Sequence, residues 1–506
     1  MLPRLVALLP ILHAVAFGAD SAHVAVDAGS LTGTVDGGVE AFRGVPYAAP
    51  PVGPLRWRPP QPVAQWTGAR DATAFGAACS QPNIPDMIGG TPGRTSEDCL
   101  TLNIWAPVHA PQPLPVMVWL HGGSNRSGAG SKRYYDGTAF AGDGIVLVTI
   151  NYRLGVLGFL AHPALAGETA RGFSGNFGLM DQIAALTWVR RNIHAFGGDP
   201  ENVTLFGESA GGQDTAALLT SPVAAGLFQK AMIESGGWFM HLPSRAEAEA
   251  DGSKIAGKLG LPATVSVEQL RALPAETLIG IESGGPYVDG QLLPLQPEVA
   301  FAQGKAARVP LVIGWNSDEG SLLAGADMTP SWLLARFGSA GLAALQTIYG
   351  TGSDDAALAR AVFRDANFAA PSRWVARQVS GQTRVYLYRF SYVRERQQGR
   401  MIGAGHGSEI PYVFDSWRQS PMGGRFMTER DRAEAAMVHA CWVAFAKQGS
   451  PVCPGAPMWP AYRKDGDELL DFGTTAVVRR GLDASQFDFI EAQILRQDGL
   501  AQAASK

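Results

Sequence analysis

Hydrophobic residues along this chain gather in short unbroken runs rather than alternating with polar ones. Residues 115–120 (Pro-Val-Met-Val-Trp-Leu), 145–150 (Ile-Val-Leu-Val-Thr-Ile) and 203–206 (Val-Thr-Leu-Phe) have strand length, as do 230–234, 309–314 and 385–390. A strand that is apolar at successive positions is covered on both faces, the condition of a mostly parallel sheet sandwiched by helices. Longer segments separate the runs, and 179–190 reads as helix. Earlier in the chain, 24–70 carries short strands punctuated by Gly and Pro turns, predicting a small N-terminal antiparallel β region. Residues 240–300 and 321–380 read as helical and loop excursions that shape a pocket. The pattern as a whole predicts an α/β fold with a large, mostly parallel central sheet flanked by helices.

One run carries chemistry. Val-Thr-Leu-Phe at 203–206 leads straight into Gly-Glu-Ser-Ala-Gly at 207–211, with a helix starting near Gly212. A serine on such a strand–turn–helix elbow is held in a strained backbone conformation with its hydroxyl above the sheet. Gly207 and Gly211 lack a Cβ, so neighbouring backbone can close around the bend. The pentapeptide alone is weak, because a chain with 61 glycines in 506 residues can match it by chance. For Ser209 by itself, a helix N-cap is the plain alternative.

Partners elsewhere change that balance. A serine hydroxyl is a poor nucleophile until a base takes its proton, and the base needs an acid to orient it. In elbow hydrolases the chain order is Ser, then Asp or Glu, then His. Of nine histidines, His406 and His439 lie beyond the acid candidates. His439 falls in a helical pattern at 430–445 as a packing residue, whereas His406 lies in the loop Gly-Ala-Gly-His-Gly-Ser at 403–408 and can present its imidazole. The acid belongs to the stretch 313–320, where Asp318 and Glu319 are adjacent and point in different directions. These residues alone leave the choice open. An oxyanion requires backbone N–H donors: Ala210 supplies one, and the loop His-Gly-Gly-Ser at 121–124 supplies others. A phosphate cradle is the rival reading of that loop, but no Lys-Ser/Thr ending follows it.

Composition narrows the partners. With 46% hydrophobic residues the chain can bury a sizeable core, and its length suits one large α/β unit. A net charge of −4, with no basic stretch interleaved with aromatics, gives nucleic-acid binding no support. Residues 1–18 have the order of a secretory signal: Arg4, an apolar run from Leu5 to Phe17, then small residues, with cleavage after Gly18 or Ala16. The mature chain, 19–506, is then a single domain. No later segment reaches the roughly 18–20 apolar residues that span a bilayer. An exported protein, periplasmic or extracellular, is expected. The four cysteines agree, since an even number permits disulfides in an oxidising compartment. Cys79 and Cys99 flank a Pro/Gly-rich segment; Cys441 lies in a helical pattern and Cys453 in the Pro-rich segment after it, and whether these last two pair stays open. The chemistry requires neither a metal nor an organic cofactor. A small molecule is the expected partner, and the oligomeric state is not readable.

Several further motifs give the chain a family likeness. Phe-Arg-Gly-Val-Pro-Tyr-Ala at 42–48, Ser-Glu-Asp-Cys-Leu-Thr-Leu-Asn at 96–103 and Asn-Tyr-Arg-Leu-Gly at 151–155 occur in order. Gly-Asn-Phe-Gly-Leu-Met-Asp-Gln at 175–182 and Phe-Gly-Gly-Asp-Pro-Glu-Asn-Val-Thr at 196–204 follow. From about residue 29 to residue 460 the chain resembles the type-B carboxylesterase/lipase family, the α/β-hydrolase branch that includes cholinesterases. The resemblance implies Ser209 as nucleophile, Glu319 as acid, His406 as base and a Cys79–Cys99 disulfide. It also implies buried polar support from Glu208 and Ser235, and oxyanion donors at Gly123, Ser124 and Ala210. The family commonly has a third glycine and then an aromatic residue where this chain has Ser124, Asn125 and Arg126. Ser124 must therefore take a conformation usually held by glycine. Arg126, with Lys132 or Arg133, is a candidate for selecting esters that carry a free carboxylate, such as fumonisin-type tricarballylate esters, with Asn125 beside it. An exposed or internally paired loop charge is the alternative for Arg126. The expected activity is that of a secreted serine carboxylesterase; a lipase or amidase of the same fold, or a non-catalytic recognition domain, are the alternatives.

Overall fold

The computed structural model describes residues 21–497 apart from 84–92, 169–173, 238–240, 283, 326–327, 352–353 and 418–422. The segment read as an export signal, 1–18, lies outside the described residues. The fold is built on a 13-stranded sheet. In spatial order Val146–Ile150, Leu114–Leu120, Gly198–Glu208, Lys230–Glu234, Leu311–Asn316, Val385–Phe390 and Glu468–Phe472 run parallel, each paired with the next. Antiparallel strands finish one side (Ser21–Val26, Gly29–Asp36, Val39–Pro46, Thr101–Pro107) and the other (Val477–Arg480), and the thirteenth, Ala69–Asp71, pairs in parallel with Gly29–Asp36. The N-terminal antiparallel region is thus an extension of the main sheet, not a layer of its own.

Successive side chains of a strand point to opposite faces, and here both faces are apolar. Val116, Val118 and Leu120 enter one core cluster with Leu205, Ile233 and Ile313. Met117 and Trp119 enter a second cluster with Phe206, Met232 and Val312. Helices Phe177–Asn192 and Ala210–Thr220 cover the first face, contributing Leu186, Val189 and Leu218. Helix Glu429–Gln448 covers the second with Val438 and Trp442. It starts at a capping box in which Thr428 and Asp431 satisfy each other's backbone N–H groups. Trp119 packs edge-on against Phe206 at 4.7 Å and Phe414 at 5.0 Å between ring centroids. Fully burying aromatic side chains of this size contributes about 1.5–3 kcal/mol each.

The excursions after the parallel strands are helical. Arg245–Lys258, Val267–Arg271 and Ala275–Ile279 follow strand Lys230–Glu234. Pro330–Ala335, Gly338–Tyr349, Asp355–Arg364 and Ala370–Val379 follow strand Leu311–Asn316. Among the described residues no helix is long and apolar enough to cross a membrane.

Two disulfides close the structure, Cys79–Cys99 and Cys441–Cys453, so the pairing left open at the second site is made. The first anchors a loop that also reaches the site, because the Gln81 amide donates to Gly128 O (2.8 Å) and accepts from Gly128 N–H (2.7 Å). Replacing Cys79 and Cys99 together by serine removes a cross-link spanning 20 residues of sequence. The loop-entropy account gives a loss of about 3 kcal/mol, read as a lower urea midpoint; an unchanged midpoint would contradict it.

Candidate active site

Strand Gly198–Glu208 runs directly into helix Ala210–Thr220, and Ser209 occupies the join with φ 55° and ψ −123°. A non-glycine residue held there costs about 1–3 kcal/mol, so the surroundings must hold it. They do so by close approach. A Cβ on Gly207 would stand 2.5 Å from Gly211 O, and one on Gly211 would stand 2.0 Å from Leu120 O. The Ser209 N–H donates to Glu234 O at 2.9 Å, tying the elbow to the next strand. The helix begins at Ala210, two residues before the position expected from sequence.

The loop 403–408 comes to the same sheet edge. Asp318 N–H donates to Ala404 O at 2.8 Å, and the His406 N–H donates to Ser321 Oγ at 3.0 Å. Of the two adjacent carboxylates, Glu319 reaches the imidazole: its Oε2 lies 2.6 Å from His406 Nδ1. Its other oxygen accepts from Ser235 Oγ at 2.5 Å and from Asn316 N–H at 2.8 Å. Asp318 instead binds the Arg360 guanidinium, with Nε at 2.7 Å. The remaining imidazole nitrogen, His406 Nε2, lies 3.1 Å from Glu208 Oε1, on the residue preceding Ser209. Phe368 packs against the imidazole with ring centroids 5.2 Å apart. His439 is a packing residue: its Nδ1 faces Val413 O at 2.7 Å and its ring lies against Phe140.

The electrostatics of this cluster are unusual. Burial works against a charged His406, but Glu208 and Glu319, with Glu409 behind them, overcome it and push the imidazole up to about 10. Burial, reinforced by Glu208 and Glu319, pushes Glu409 up to about 8. Glu234, whose carboxylate accepts from Trp442 Nε1 at 2.7 Å, is raised well above the ordinary range by burial and by Glu409. Burial and mutual repulsion favour the neutral forms of Glu234 and Glu409, which relieves the crowding of acids around one imidazole. Sequence reasoning missed Glu234 and Glu409. Their only sequence signals are position, Glu234 beside Ser235 and Glu409 three residues after His406.

Across the elbow lies the glycine loop. A Cβ on Gly122 would meet Glu208 Oε2 at 2.7 Å and the Ser209 Cβ at 3.0 Å, so this backbone sits directly on the serine. Gly123 has φ 115°, and Ser124 and Asn125 have φ 56° and 55°. Ser124 thus adopts the left-handed conformation its place in the loop demanded. Arg126 turns away: it pairs with Glu282 Oε1 at 3.3 Å and lines a separate small depression with Ser80 and Leu154. Lys132 lies 6.0 Å from the centre of the Tyr135 ring.

A cavity of about 480 Å³ opens over Ser209, Ala210, Ser124 and Asn125. Its walls are largely apolar, with Phe159, Leu160 and Ile255 on one side and Leu322, Met328 and Phe368 on the other. Among its described lining residues the acidic or basic side chains are His241 and Asp251, and Asp251 pairs with Lys254 at 2.8 Å. Among the described residues no group of His, Cys, Asp and Glu is arranged to hold a metal ion.

A serine elbow above a mostly parallel sheet with helices on both faces defines an α/β-hydrolase. The sequence profile of the carboxylesterase family matches residues 20–340 and 342–490. The chain is 38% identical to the fumonisin B1 esterase of Sphingopyxis macrogoltabida, covering 89% of this chain and 86% of that protein. It is 38% identical to the para-nitrobenzyl esterase of Bacillus subtilis (strain 168), covering 87% of this chain and 93% of that one. A solved PNB esterase superposes with a TM-score of 0.80 at 34% identity, over 92% of this chain and 99% of that chain. The chain belongs to the carboxylesterase family and is a carboxylic ester hydrolase.

The elbow supplies a direct test of how the site is held. Gly211→Ala must push the helix away from Leu120, because the added methyl meets a backbone oxygen. Overpacking of this kind costs about 1–3 kcal/mol. A lower melting temperature together with loss of most p-nitrophenyl ester hydrolysis is expected; wild-type melting and activity would contradict the packing account.

Proposed function

We infer that the protein is a serine esterase in which Ser209, His406 and Glu319 act as nucleophile, base and acid. The observation that carries this reading is the Glu319–His406 bond at 2.6 Å, beside a serine strained into the elbow. His406 takes the Ser209 proton on Nε2 as Oγ attacks the ester carbonyl, while Nδ1 keeps its bond to Glu319. The N–H groups of Gly123, Ser124 and Ala210 receive the developing oxyanion. The imidazolium then gives its proton to the departing alcohol, and water hydrolyses the acyl-enzyme by the same steps. The carboxylates around His406 favour its charged form, which is the form that appears in the transition state. Ser235 and Asn316 hold Glu319 in place, and Glu208 steadies the imidazole from the other side.

The apolar cavity suits uncharged esters with an apolar group on either side of the carbonyl. A preference for esters with free carboxylates has a different support, the similarity to a protein named for fumonisin B1. Arg126 does not serve that preference as placed, since it pairs with Glu282 outside the cavity lining. Export fits the pair of disulfides, which persist in oxidising compartments.

Ser209→Ala abolishes turnover in this mechanism; an alanine variant that still hydrolyses esters overturns it. The charge on His406 sets the pH dependence. Because its folded pKa is raised, the neutral base form grows as pH rises, so kcat/KM climbs towards alkaline pH and falls on acidification. Glu208→Gln removes one of the anions that stabilise the imidazolium and moves this acid limb to lower pH. A limb that stays in place, or moves up, in the pH profile of kcat/KM contradicts the assignment.

A further inference from the structure

The glycine loop over Ser209 contains a turn that Ser124 does not favour. Gly123 O accepts from both Arg126 N–H and Ser127 N–H at 3.0 Å, and the intervening Ser124 and Asn125 are both left-handed. Consecutive positive φ values across such a hydrogen bond are the mark of a type I′ turn, which glycine accepts freely and asparagine tolerates but serine disfavours. Something outside the turn must therefore hold it. Gly155 N–H donates to Asn125 O at 2.6 Å, which holds the backbone from one side. From the other side Asn125 Nδ2 donates to Asp214 Oδ1 at 2.9 Å.

Asp214 is an odd residue to bury for stability alone. It is fully buried on helix Ala210–Thr220, and its second oxygen accepts from Gln182 Nε2 at 2.6 Å, on helix Phe177–Asn192. Among the described residues its side-chain hydrogen bonds are to these two amides, with no arginine or lysine paired to it. Burial pushes the carboxyl up to about 7 even though both amide donors pull the other way. A buried carboxyl without a cation is costly unless its hydrogen bonds do something an apolar residue could not. Here it joins the helix that begins at Ala210 to the loop that carries Gly123 and Ser124.

We propose that Asp214 is a positioning residue: by clasping the Asn125 amide it fixes the turn whose N–H groups, with that of Ala210, form the oxyanion hole. This rests on the reading of Ser209 as nucleophile and of those amides as its oxyanion donors. Asn125, which lines the cavity, acts through its amide as the other half of the clasp rather than as a substrate contact. Gln182 holds the carboxylate in the orientation that reaches Asn125.

The experiment compares Asp214→Leu, Asn125→Gly and the double variant with the wild type, using the full chain in alkaline buffer. Active sites are counted by covalent labelling with an organophosphate, and kcat is expressed per labelled site. Asn125→Gly removes the clasp without straining the turn, since glycine accepts positive φ at no cost. Removing one oxyanion donor costs 10²–10³-fold in known cases, so a misplaced donor should cost about tenfold in kcat. Each single variant is expected to lose about tenfold in kcat with KM within about twofold, and to bind a trifluoromethyl ketone, which mimics the oxyanion, about tenfold more weakly. The double variant should be no worse than the poorer single one, because both break the same contact. If kcat per labelled site is unchanged in Asn125→Gly, or the two losses multiply, the proposal is overturned. Failure of the wild type to label at Ser209 would instead overturn the nucleophile reading beneath it.

Discussion

The first turn of the helix after Ser209 lies against the end of strand Leu114–Leu120 with no room for a methyl group. Gly211 meets the Leu120 carbonyl, and Gly207 meets Gly211. This contact sets the height of the helix above the sheet and holds Ser209 in a conformation that an unconstrained serine avoids. It also brings Gly122 over the serine, because the loop leaves the sheet at Leu120. The parallel register of the neighbouring strands does the rest. Strands Lys230–Glu234 and Leu311–Asn316 end at the same edge, so Ser235 and Glu319 arrive where loop 403–408 folds down.

Around that frame the protein concentrates acids. Glu208, Glu234, Glu319 and Glu409 are all buried, and one imidazole lies among them. Such a cluster survives burial because Glu234 and Glu409 are shifted towards their neutral forms and because each acid finds a hydrogen-bond donor: Trp442 for Glu234, Asn316 for Glu409, Ser235 and His406 for Glu319. Asp214 belongs to a second, separate polar set that spans two helices and the glycine loop. Both sets exchange desolvation for geometry. In the proposed mechanism the first holds a base and the second holds an oxyanion hole.

The cavity speaks to substrate less through charge than through shape. Its apolar walls come from helix Arg245–Lys258 on one side and from Phe363 and Phe368 on the other. Phe368 sits in a π-helical turn, Asp365–Ala369, that interrupts two α-helical stretches and brings this ring onto both the cavity and His406. Such turns recur at functional sites. Arg126, the residue whose charge suggested anionic esters, is engaged elsewhere.

Much of this architecture was legible in the order of residues. Unbroken apolar runs marked the parallel strands because both faces of that sheet are covered, and the elbow declared itself through two glycines flanking a serine. Strands Thr101–Pro107 and Glu468–Phe472 were not read, since their polar positions (Asn103, Glu468, Asp471) break the apolar pattern although every one of them is buried. Chain order narrowed the histidines to His406 and His439 and the helical pattern around His439 left His406, yet neither could say which of Asp318 and Glu319 faces it. That choice follows from side-chain direction after the strand ends, with Arg360 drawing Asp318 away. Nor could any local pattern reveal Asp214 against Asn125, or Arg126 against Glu282, because those partners meet across 89 and 156 residues of chain. Local pattern specifies which backbone is helix, strand or strained turn, since those depend on near neighbours. Which charges meet in the interior depends on how distant segments pack, and only the folded chain brings them together.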